Sequence, residues 1–283
     1  MPYIVPEIIT EARRMDLLTY LRAYEPNELA LDYLVKVKGL SFLEAVETIM
    51  GCKVALPTDY CTPKKETPKE LKLPPKSAST DRITEYLFSR GIDYEIITHC
   101  IQKGLIFESL PYHNAVFVGK DEKGTPRYAA YRATNNSRLM GDASGSDKHY
   151  SFRLEGSNNS EVHLYECAID ALSYATLMKM NGDDWRKENL VSLAGVYAPR
   201  EKIEESKVPA AVEGFLKSHP EIKRIVLHFD NDEVGRKASQ ALQIILSDRY
   251  EVIDSPPKFG KDFNDFLCMK LGIYKSKQRS FER

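Results

Sequence analysis

The sequence predicts an α/β protein (α+β overall) with a C-terminal parallel sheet of the Rossmann-like type, an antiparallel basic subdomain before it and a small N-terminal helical segment. Three observations support this prediction. From residue 159 onward, short apolar strands alternate with helical patterns, which is typical of a parallel sheet with right-handed crossovers. Residues 115–133 instead show two strands around a turn at 121–124, the pattern of a hairpin. Residues 1–52 have apolar side chains at helical spacing.

The composition is that of an ordinary globular protein. The chain has 283 residues, of which 42% are hydrophobic and 29% charged, and its formal net charge is −1. This balance excludes a global field that draws the whole protein to nucleic acid, so any nucleic-acid surface must be local. The five cysteines are scattered without a C-x-x-C pair, so we expect neither a disulfide framework nor structural zinc. With no signal peptide and no apolar run of membrane-spanning length, we expect a cytoplasmic protein without a membrane partner.

Two segments precede the predicted sheets. Residues 1–52 contain three helical patterns, and the third begins with a capping box formed by Ser41 and Glu44. Residues 53–80 are rich in Pro, Lys, Thr and Ser and contain few large apolar side chains. This composition favours an extended linker, and its lysines are better explained by solvation than by contact with phosphate.

Residues 81–158 are predicted to form the basic subdomain, with two helices followed by an antiparallel sheet that includes residues 150–154. Between residues 120 and 153 seven bases occur with four acids, interleaved with the aromatic residues Tyr128, Tyr131, Tyr150 and Phe152. Cations that alternate with aromatic rings suit single-stranded nucleic acid or nucleotides. A charged sheet face with a tyrosine-rich core side explains the same pattern, and the sequence leaves both interpretations open.

Residues 159–270 carry the parallel-sheet pattern, and residues 271–283 form a basic tail that we expect to be disordered. The informative feature is that acids follow three of the predicted strands: Glu166 with Asp170, Asp230 with Asp232, and Asp262 with Asp265. Because the carboxyl ends of parallel strands meet at one edge, we expect these carboxylates to gather there. They would repel one another strongly without bound cations.

Asp230 and Asp232 also have a purely structural explanation. Aspartate is common in turns and at helix N-caps, and a helical pattern follows this pair directly. The metal interpretation is favoured because chance placement would not put acids at three successive strand ends.

Three motifs stand at these strand ends: Glu166-x-x-x-Asp170, then Asp230-x-Asp232 followed by Gly235-Arg236-Lys237, and finally Lys261-Asp262-x-Asn264-Asp265. Together they resemble the Toprim domain shared by bacterial-type primases, type IA and II topoisomerases and some nucleases. The similarity is greatest to the catalytic core of the bacterial DnaG-type primase, because residues 86–92 and 115–132 also resemble segments of that core. A topoisomerase is not expected, since it would need a further domain with a nucleophilic tyrosine.

The sequence departs from the primase pattern at three places, one of which is Cys167, where primases prefer glycine after the glutamate. No Cys or His ligand set occurs near residues 25–29, where the primase zinc ribbon belongs, and Asn264 replaces the second acid of the last motif. These departures resemble the shortened primase-like proteins found on bacterial mobile elements, in which the zinc ribbon is absent.

The resemblance implies a nucleotidyltransferase that depends on Mg²⁺ (or Mn²⁺) and acts on single-stranded DNA in mobile-element replication or transfer. The implied catalytic residues are Glu166, Asp230 and Asp232, with Glu166 as general acid/base or as ligand. The implied metal ligands are Glu166, Asp170, Asp230, Asp232 and Asp262.

The implied contacts to phosphate or nucleic acid are Arg132, Lys148, Arg153, Arg236, Lys237 and Lys261. Arg236 and Lys237 are explained equally well as solvated helix charges. The expected partners are single-stranded DNA and nucleotides, with a helicase or a relaxase as candidate protein partner. Two other function classes stay open at this point: a Toprim nuclease, and a non-catalytic DNA- or partner-binding protein with a degenerate site.

Overall fold

The computed structural model describes residues 70–273, except for 136, 138, 158–159, 196, 198, 200–202 and 204–205, together with Glu44 and Thr48. The chain divides into two compact units, Met1–Glu66 and Thr67–Arg283. Apart from Glu44 and Thr48, which are helical, the predicted N-terminal helices lie outside the described residues. The same holds for the linker up to residue 69 and for the tail from residue 274.

The described part of the second unit begins with two helices and an antiparallel sheet. Helices α1 and α2 span Asp81–Ser89 and Tyr94–Gln102. The strands are β1 (Ile106–Glu108), β2 (Ala115–Lys120), β3 (Pro126–Arg132) and β4 (Met140–Asp142), and they pair in this order, each antiparallel to the next. The predicted hairpin is therefore present, and Gly124 closes its turn at a φ of +77°.

The second sheet is mostly parallel. Its strands are β5 (Arg153–Leu154), β6 (Glu161–Tyr165), β7 (Asn189–Ser192), β8 (Arg224–Leu227) and β9 (Glu251–Asp254). The order across the sheet is β5-β7-β6-β8-β9, and only the pair β5 and β7 is antiparallel among these five strands. The helices of this part are α3 (Ala168–Asn181), α4 (Ala210–Ser218), α5 (Glu233–Leu246) and α6 (Phe263–Lys270). The predicted α/β class, with one antiparallel and one parallel sheet, is confirmed.

The segment at residues 148–154 differs from the prediction, which assigned residues 150–154 to the antiparallel sheet. Lys148–Tyr150 form a 3-10 turn, and Arg153–Leu154 pair with β7 at the edge of the parallel sheet. Phe152 is fully buried, and its ring contacts that of Phe117 edge to face at 5.7 Å. The apolar pattern of this segment thus reflects burial between the two sheets.

Both faces of the parallel sheet are covered by helices, as the apolar strands predict. On β6, Val162 and Leu164 pack in one core with residues of α4 and α5. Tyr165 points to the other face and joins a core that contains residues of α3 and α6 as well as α1 and α2. That shared core places the predicted regions 81–158 and 159–270 within one compact unit, and their division into two domains remains a prediction.

In the described part of the chain, none of the helices is long and apolar enough to cross a membrane.

Candidate metal centre

The three acid-bearing turns follow neighbouring strands of the parallel sheet. Strands β6, β8 and β9 lie side by side in that order, and the turns after them lead into α3, α5 and α6. Because the three strands run in the same direction, their carboxyl ends lie at one edge of the sheet. The topology therefore brings the three turns to a common edge.

The two aspartates after β8 share one lysine. Asp230 Oδ2 and Asp232 Oδ2 lie 3.0 Å and 3.1 Å from Lys261 Nζ. Asp232 also caps α5, because its Oδ1 accepts a hydrogen bond from the Gly235 backbone N–H at 2.9 Å. The helix cap and the contact with a cation use different oxygens of Asp232, so the structural explanation of this residue leaves room for a ligand role.

The charges of this turn shift one another. Burial raises the pKa of Asp230, against the opposing effect of Lys261. The hydrogen bond from Gly235 and the contact with Lys261 lower the pKa of Asp232. Hydrogen bonds to both aspartates raise the pKa of Lys261. The turn is thus a place where a positive charge is held by two carboxylates.

Gly235 and Arg236 fix the backbone of the same turn. A Cβ atom at Gly235 would lie 2.2 Å from the carbonyl oxygen of Asp230, so this position requires glycine. Arg236 donates from Nε to Asp230 O at 3.2 Å and from Nη2 to Phe229 O at 2.9 Å, and its Nη1 pairs with Asp254 Oδ2 at 2.6 Å. These contacts give Arg236 a positioning role between the β8 turn and the end of β9, and its assignment as a phosphate ligand remains a prediction.

Glu166 joins the turn after β6 to the turn after β8. Its Oε1 accepts a hydrogen bond from the backbone N–H of Asp230 at 3.1 Å. Burial, followed by the negative charge of Asp230, raises the pKa of Glu166 to about 7. A carboxyl group with such a pKa is populated in both protonation states near neutral pH, which suits a general acid or base.

Asp170 lies in the first turn of α3, behind the acidic edge. It is 6% exposed, and its carboxylate accepts hydrogen bonds from Cys167 Sγ at 2.9 Å and from the Asn264 backbone N–H at 3.4 Å. Burial, followed by the charge of Asp262, raises the pKa of Asp170 to about 7. These protein partners indicate a supporting position, and a direct ligand role of Asp170 remains a prediction.

The turn after β9 places one acid at a helix cap and an amide in the core. Asp262 caps α6, since its Oδ1 accepts from the Asp265 backbone N–H at 2.6 Å. Asn264 is 1% exposed, and its Nδ2 donates to Arg90 O at 2.8 Å and to Ser173 Oγ at 3.0 Å. A carboxylate cannot donate these hydrogen bonds, so the packing of α6 explains why asparagine stands here in place of the expected acid.

The side chains at this edge fit a hard divalent ion. Mg²⁺ in proteins is usually held by one or two carboxylates, with water and substrate phosphates completing the octahedron. Asp230 and Asp232 supply two carboxylate oxygens that already converge on one cationic group. Over the described ranges, however, the acids of this edge do not include three whose ligand atoms all lie within 4.8 Å of one another. Asp230 and Asp232 are therefore the two carboxylates that already converge, and ligand roles for Glu166 and Asp262 remain predictions.

Two of the predicted phosphate ligands have protein partners of their own. Arg153 is 6% exposed, and its Nε and Nη2 contact Glu155 Oε1 at 2.8 Å and Lys120 O at 2.9 Å. Lys237 is exposed on α5 and pairs with Glu233 at 2.7 Å, as an ordinary helix-surface charge does. The structure thus places Arg153 in the interior and Lys237 on a solvated face, and neither contact with phosphate is tested.

A pocket of about 220 Å³ lies between the antiparallel sheet and the start of α3. Arg132 and Tyr131 line it from β3, and Cys167 lines it from the turn after β6. Lys148 Nζ donates to the carbonyl oxygen of Ala194, another lining residue, at 2.9 Å. The structure therefore brings the predicted bases Arg132 and Lys148 to the side of the acidic edge that faces the antiparallel sheet.

The aromatic residues of the basic subdomain divide into two groups. Tyr128 and Phe152 are buried, and the Tyr128 hydroxyl donates to Asp142 Oδ1 at 2.7 Å. Tyr131 and Tyr150 are partly exposed. Two of the four rings thus form core, and binding of nucleic acid by this region remains a prediction.

Two features of the site region are not among the predictions made from the sequence. The first is the position of Lys261 between both aspartates, because the residue arrives from the distant turn after β9. The second is a group of possible metal ligands at the opposite end of β6, formed by Glu161, His163 and Glu188. The spacing Glu161-x-His163 on a strand places both side chains on one face and is a usable signal, but nothing links Glu188 to them in the sequence.

Family models match two consecutive parts of the chain. Residues 85–158 match the family described as "Protein of unknown function (DUF3991)". Residues 163–267 match the family described as "Toprim-like". The second match contains all three acid-bearing turns.

Two curated relatives are similar over part of their length. A "65 kDa protein" of Zymomonas mobilis is 27% identical over 214 residues, which covers 71% of this chain and 33% of that protein. An uncharacterized protein of Bacillus anthracis is 31% identical over 127 residues, which covers 41% of this chain and 35% of that protein. The aligned parts span about a third of the length of both relatives.

Solved structures with a similar arrangement of strands and helices include primases. The primase fragment of the bacteriophage T7 primase-helicase protein matches with a TM-score of 0.43 and 19% identity, over 66% of this chain and 69% of that chain. The RNA polymerase domain of the Mycobacterium tuberculosis primase DnaG matches with a TM-score of 0.45 and 12% identity, over 70% of this chain and 74% of that chain. Both matches are at low sequence identity.

Proposed function

We propose, from the premise that residues 163–267 form a Toprim-like domain, that its acidic edge is the metal-dependent phosphoryl-transfer centre of a primase-like nucleotidyltransferase. The predicted presence of a Toprim domain is confirmed by the family match. The proposed metal is Mg²⁺ or Mn²⁺, and the proposed substrates are nucleotides and single-stranded DNA.

The observation that carries this proposal is the convergence of Asp230 and Asp232 on one cation. Two carboxylates whose oxygens both lie about 3 Å from the Lys261 ammonium need a positive charge between them. A bound Mg²⁺ would take over that position and neutralise charge that develops at the transferred phosphorus. The Lys261 side chain is 56% exposed, so its ammonium has room to turn outward toward a phosphate oxygen.

Glu166 is the proposed general acid or base. It contacts the backbone of the same turn, and its raised pKa of about 7 keeps both protonation states available. In the unprotonated state it would accept the proton of an attacking hydroxyl group as that oxygen bonds to the α-phosphorus, and in the protonated state it would give the proton to the departing pyrophosphate or to water. Asp170 and Asp262 are proposed as further ligands or as groups that position the ligands through the starts of α3 and α6.

Template binding is proposed for the preceding basic region. We also propose that residues 81–158 and 159–270 form two domains. The N-terminal segment 1–52, the linker 53–80 and the tail 271–283 lie outside them. Arg132 and Lys148 lie beside the pocket next to α3 and would meet the backbone of DNA or a nucleotide. A role in mobile-element replication or transfer and a helicase or relaxase partner are expectations from the resemblance alone, and a cytoplasmic location is an expectation from the sequence composition.

A nuclease is the second candidate, because the same two carboxylates and one general base also serve hydrolysis of a phosphodiester. The observation that favours it is the accessible, half-exposed cation position, which admits water as readily as a hydroxyl group.

A non-catalytic binding protein is the third candidate, and its prediction rests on the missing zinc ribbon and on Asn264.

The deciding experiment offers the protein a single-stranded DNA template, labelled nucleotides and Mg²⁺ or Mn²⁺. Extended products support the nucleotidyltransferase, and a shortened template supports the nuclease. Asp230→Asn and Asp232→Asn should abolish either activity, while asparagine at 232 keeps an N-cap side chain. Asp248→Asn, an exposed position beyond the end of α5, is the matched control.

The catalytic proposal is overturned if neither product forms and the two variants bind single-stranded DNA as the wild type does. Fluorescence anisotropy with labelled oligonucleotides measures the DNA binding of the wild type and of both variants. Circular dichroism shows whether each variant is folded, so that activity lost through unfolding is recognised.

A further inference from the structure

We propose that Glu161, His163 and Glu188 form a second metal site, for a divalent transition-metal ion such as Zn²⁺, at the edge of the parallel sheet opposite the acidic turns. One ligand atom from each of these residues lies within 4.8 Å of the other two. This site is independent of the proposed phosphoryl-transfer centre, and its test does not require activity.

The location separates this site from the acidic edge. Glu161 is the first residue of β6, and Glu188 directly precedes the first residue of β7. Glu166 follows the last residue of β6, so at ~3.3 Å per strand residue its backbone lies roughly 17 Å from that of Glu161 and roughly 10 Å from that of His163. Ligands at one site therefore cannot be shared with the other.

A chain of hydrogen bonds fixes the tautomer of His163. His228 Nδ1 lies 2.8 Å from the backbone carbonyl oxygen of Ser255, which only accepts, so this nitrogen carries a proton. His228 is 3% exposed and forms no ion pair with an acid among the described residues, so burial favours the neutral ring, whose Nε2 holds a lone pair. His163 Nδ1 lies 2.9 Å from that Nε2 and must donate to it.

The remaining nitrogen of His163 then points its lone pair at two acids. His163 Nε2 lies 3.1 Å from Glu161 Oε1 and 3.6 Å from Glu188 Oε2. It is buried and makes no hydrogen bond with good geometry among the described residues. A lone pair between two carboxylate oxygens is repulsive unless a cation or a proton stands between them, and a metal ion bonded to all three atoms removes the repulsion.

A proton on Nε2 is the competing explanation. The ring is stacked at 5.1 Å on the His228 ring, and both imidazoles are buried. The His163 side chain is 8% exposed and stacks on a second buried ring, so an added positive charge would be removed from water there, whereas a neutral imidazole is the form that binds metal.

The surroundings are those of a positioned ligand set. The Nδ1–H of His163 is held by a hydrogen-bond partner, as is usual for metal-binding histidines. Glu161 is oriented through its other oxygen, since Oε2 accepts from Arg224 Nη1 at 3.0 Å. One imidazole and two carboxylates suit Zn²⁺, Mn²⁺ or Fe²⁺ better than Mg²⁺, which prefers oxygen ligands alone.

An ion can reach the site from solvent. The side chains of Glu161 and Glu188 are 19% and 22% exposed. Glu188 also lines a pocket of about 430 Å³ together with Trp185. The backbone N–H of Glu188 donates to Trp185 O at 3.3 Å, so the indole is attached to the site by a short turn.

This neighbourhood provides a specific optical probe, because Trp185 is the single tryptophan of the chain. We expect Co²⁺ to quench Trp185 fluorescence with a stoichiometry of one ion per chain, and Zn²⁺ to compete for the same position. Excess Mg²⁺ should leave this quenching unchanged. In Asp230→Asn/Asp232→Asn protein the quenching should persist, because those residues belong to the other edge.

His163→Gln and Glu188→Gln should each weaken Co²⁺ binding at least tenfold. Tenfold is the lower end of the loss in metal affinity caused by mutating residues that support metal ligands. Glu251→Gln is the matched control, because Glu251 pairs with Arg224 but does not belong to the ligand group. Thermal melting without metal shows whether each variant folds, and added Zn²⁺ should raise Tm only in wild type and control. The inference is overturned if Co²⁺ does not quench Trp185, or if quenching survives in both folded ligand variants.

Discussion

Glu166 Oε1 accepts a hydrogen bond from the backbone N–H of Asp230 at 3.1 Å, so the turns after two neighbouring strands are joined through a titratable group. The bond can form only because β6 and β8 are adjacent and parallel. It places the carboxyl group with the raised pKa beside the aspartates that converge on a cation. The proposed proton transfer and the proposed metal binding are therefore structurally connected at this edge.

Replacing Glu166 by glutamine should separate these two functions. Glutamine keeps an oxygen that accepts the Asp230 N–H but cannot take up a proton, so we expect an unchanged Tm and a loss of turnover of roughly 10²- to 10⁴-fold. Steady-state nucleotide incorporation and thermal melting measure the two effects. Equal activity of Glu166→Gln and wild type would contradict the acid/base assignment.

The stability of the metal-free protein should depend on pH through Glu166 and Asp170. Both groups have a folded-state pKa raised to about 7 from ordinary values of 4.5 and 3.8. The folded state therefore binds these protons more tightly than the unfolded state, and stability contributed at low pH is lost as pH rises through about 7.

Asp170→Asn isolates one of these contributions. Relative to wild type, its Tm in the presence of EDTA should be higher at pH 8 than at pH 5, because asparagine never ionises. The pKa values of the buried His163 and His228 are lowered, so these residues make stability depend on pH in the opposite direction. Comparing the variant with the wild type at each pH cancels their effect. An identical pH dependence of Tm in both proteins would disprove the shift at Asp170.

Removing the Lys261 ammonium should have opposite effects on metal and nucleotide. In Lys261→Met the aspartates lose a competing cation, so Mg²⁺ or Mn²⁺ should bind more tightly, by up to about fivefold for a half-exposed pair worth ~1 kcal/mol. Binding of a nucleoside triphosphate should weaken, because its phosphate loses a cationic partner. Isothermal titration with Mn²⁺ and with nucleotide measures both, and Lys217→Met at an exposed position of α4 serves as control.

Restoring the acid of the primase motif should harm the protein. Asn264→Asp replaces two buried donor hydrogens with a carboxylate beside Asp170, and we expect a loss of at least 1–3 kcal/mol in the free energy of unfolding. Metal affinity should not increase. Urea denaturation and Mn²⁺ titration test this, with Asn181→Asp at an exposed position as the comparison. A more stable Asn264→Asp protein with tighter metal binding would show that Asn264 marks a degenerate site.

The positions of the three acid-bearing turns could be predicted from the sequence, because adjacent parallel strands end at the same edge. The contacts within the turns could not. Arg236 looks like a phosphate ligand in sequence, yet its guanidinium reaches Phe229, Asp230 and Asp254, which come together only after β8 and β9 pair. The motif likewise gives no hint that Asn264 donates to Arg90, which lies 174 positions earlier in the chain.

The segment at residues 150–154 shows a different limit of sequence prediction. Its apolar pattern indicates burial correctly, as the fully buried Phe152 demonstrates. The pattern does not specify which sheet buries it, because both sheets contribute to the same core. Only the pairing of Arg153 and Leu154 with β7 decides that question.

That common core has a consequence for how such a chain is inherited. Ile83 and Leu87 from α1 pack in one cluster with Ile169 from α3 and Phe263 from α6, and Asn264 adds a hydrogen bond to Arg90. A recombination event that joined the acid-bearing half to an unrelated neighbour would uncover this apolar surface. The two consecutive family matches, at 85–158 and 163–267, therefore cover segments that bury their apolar side chains in one core.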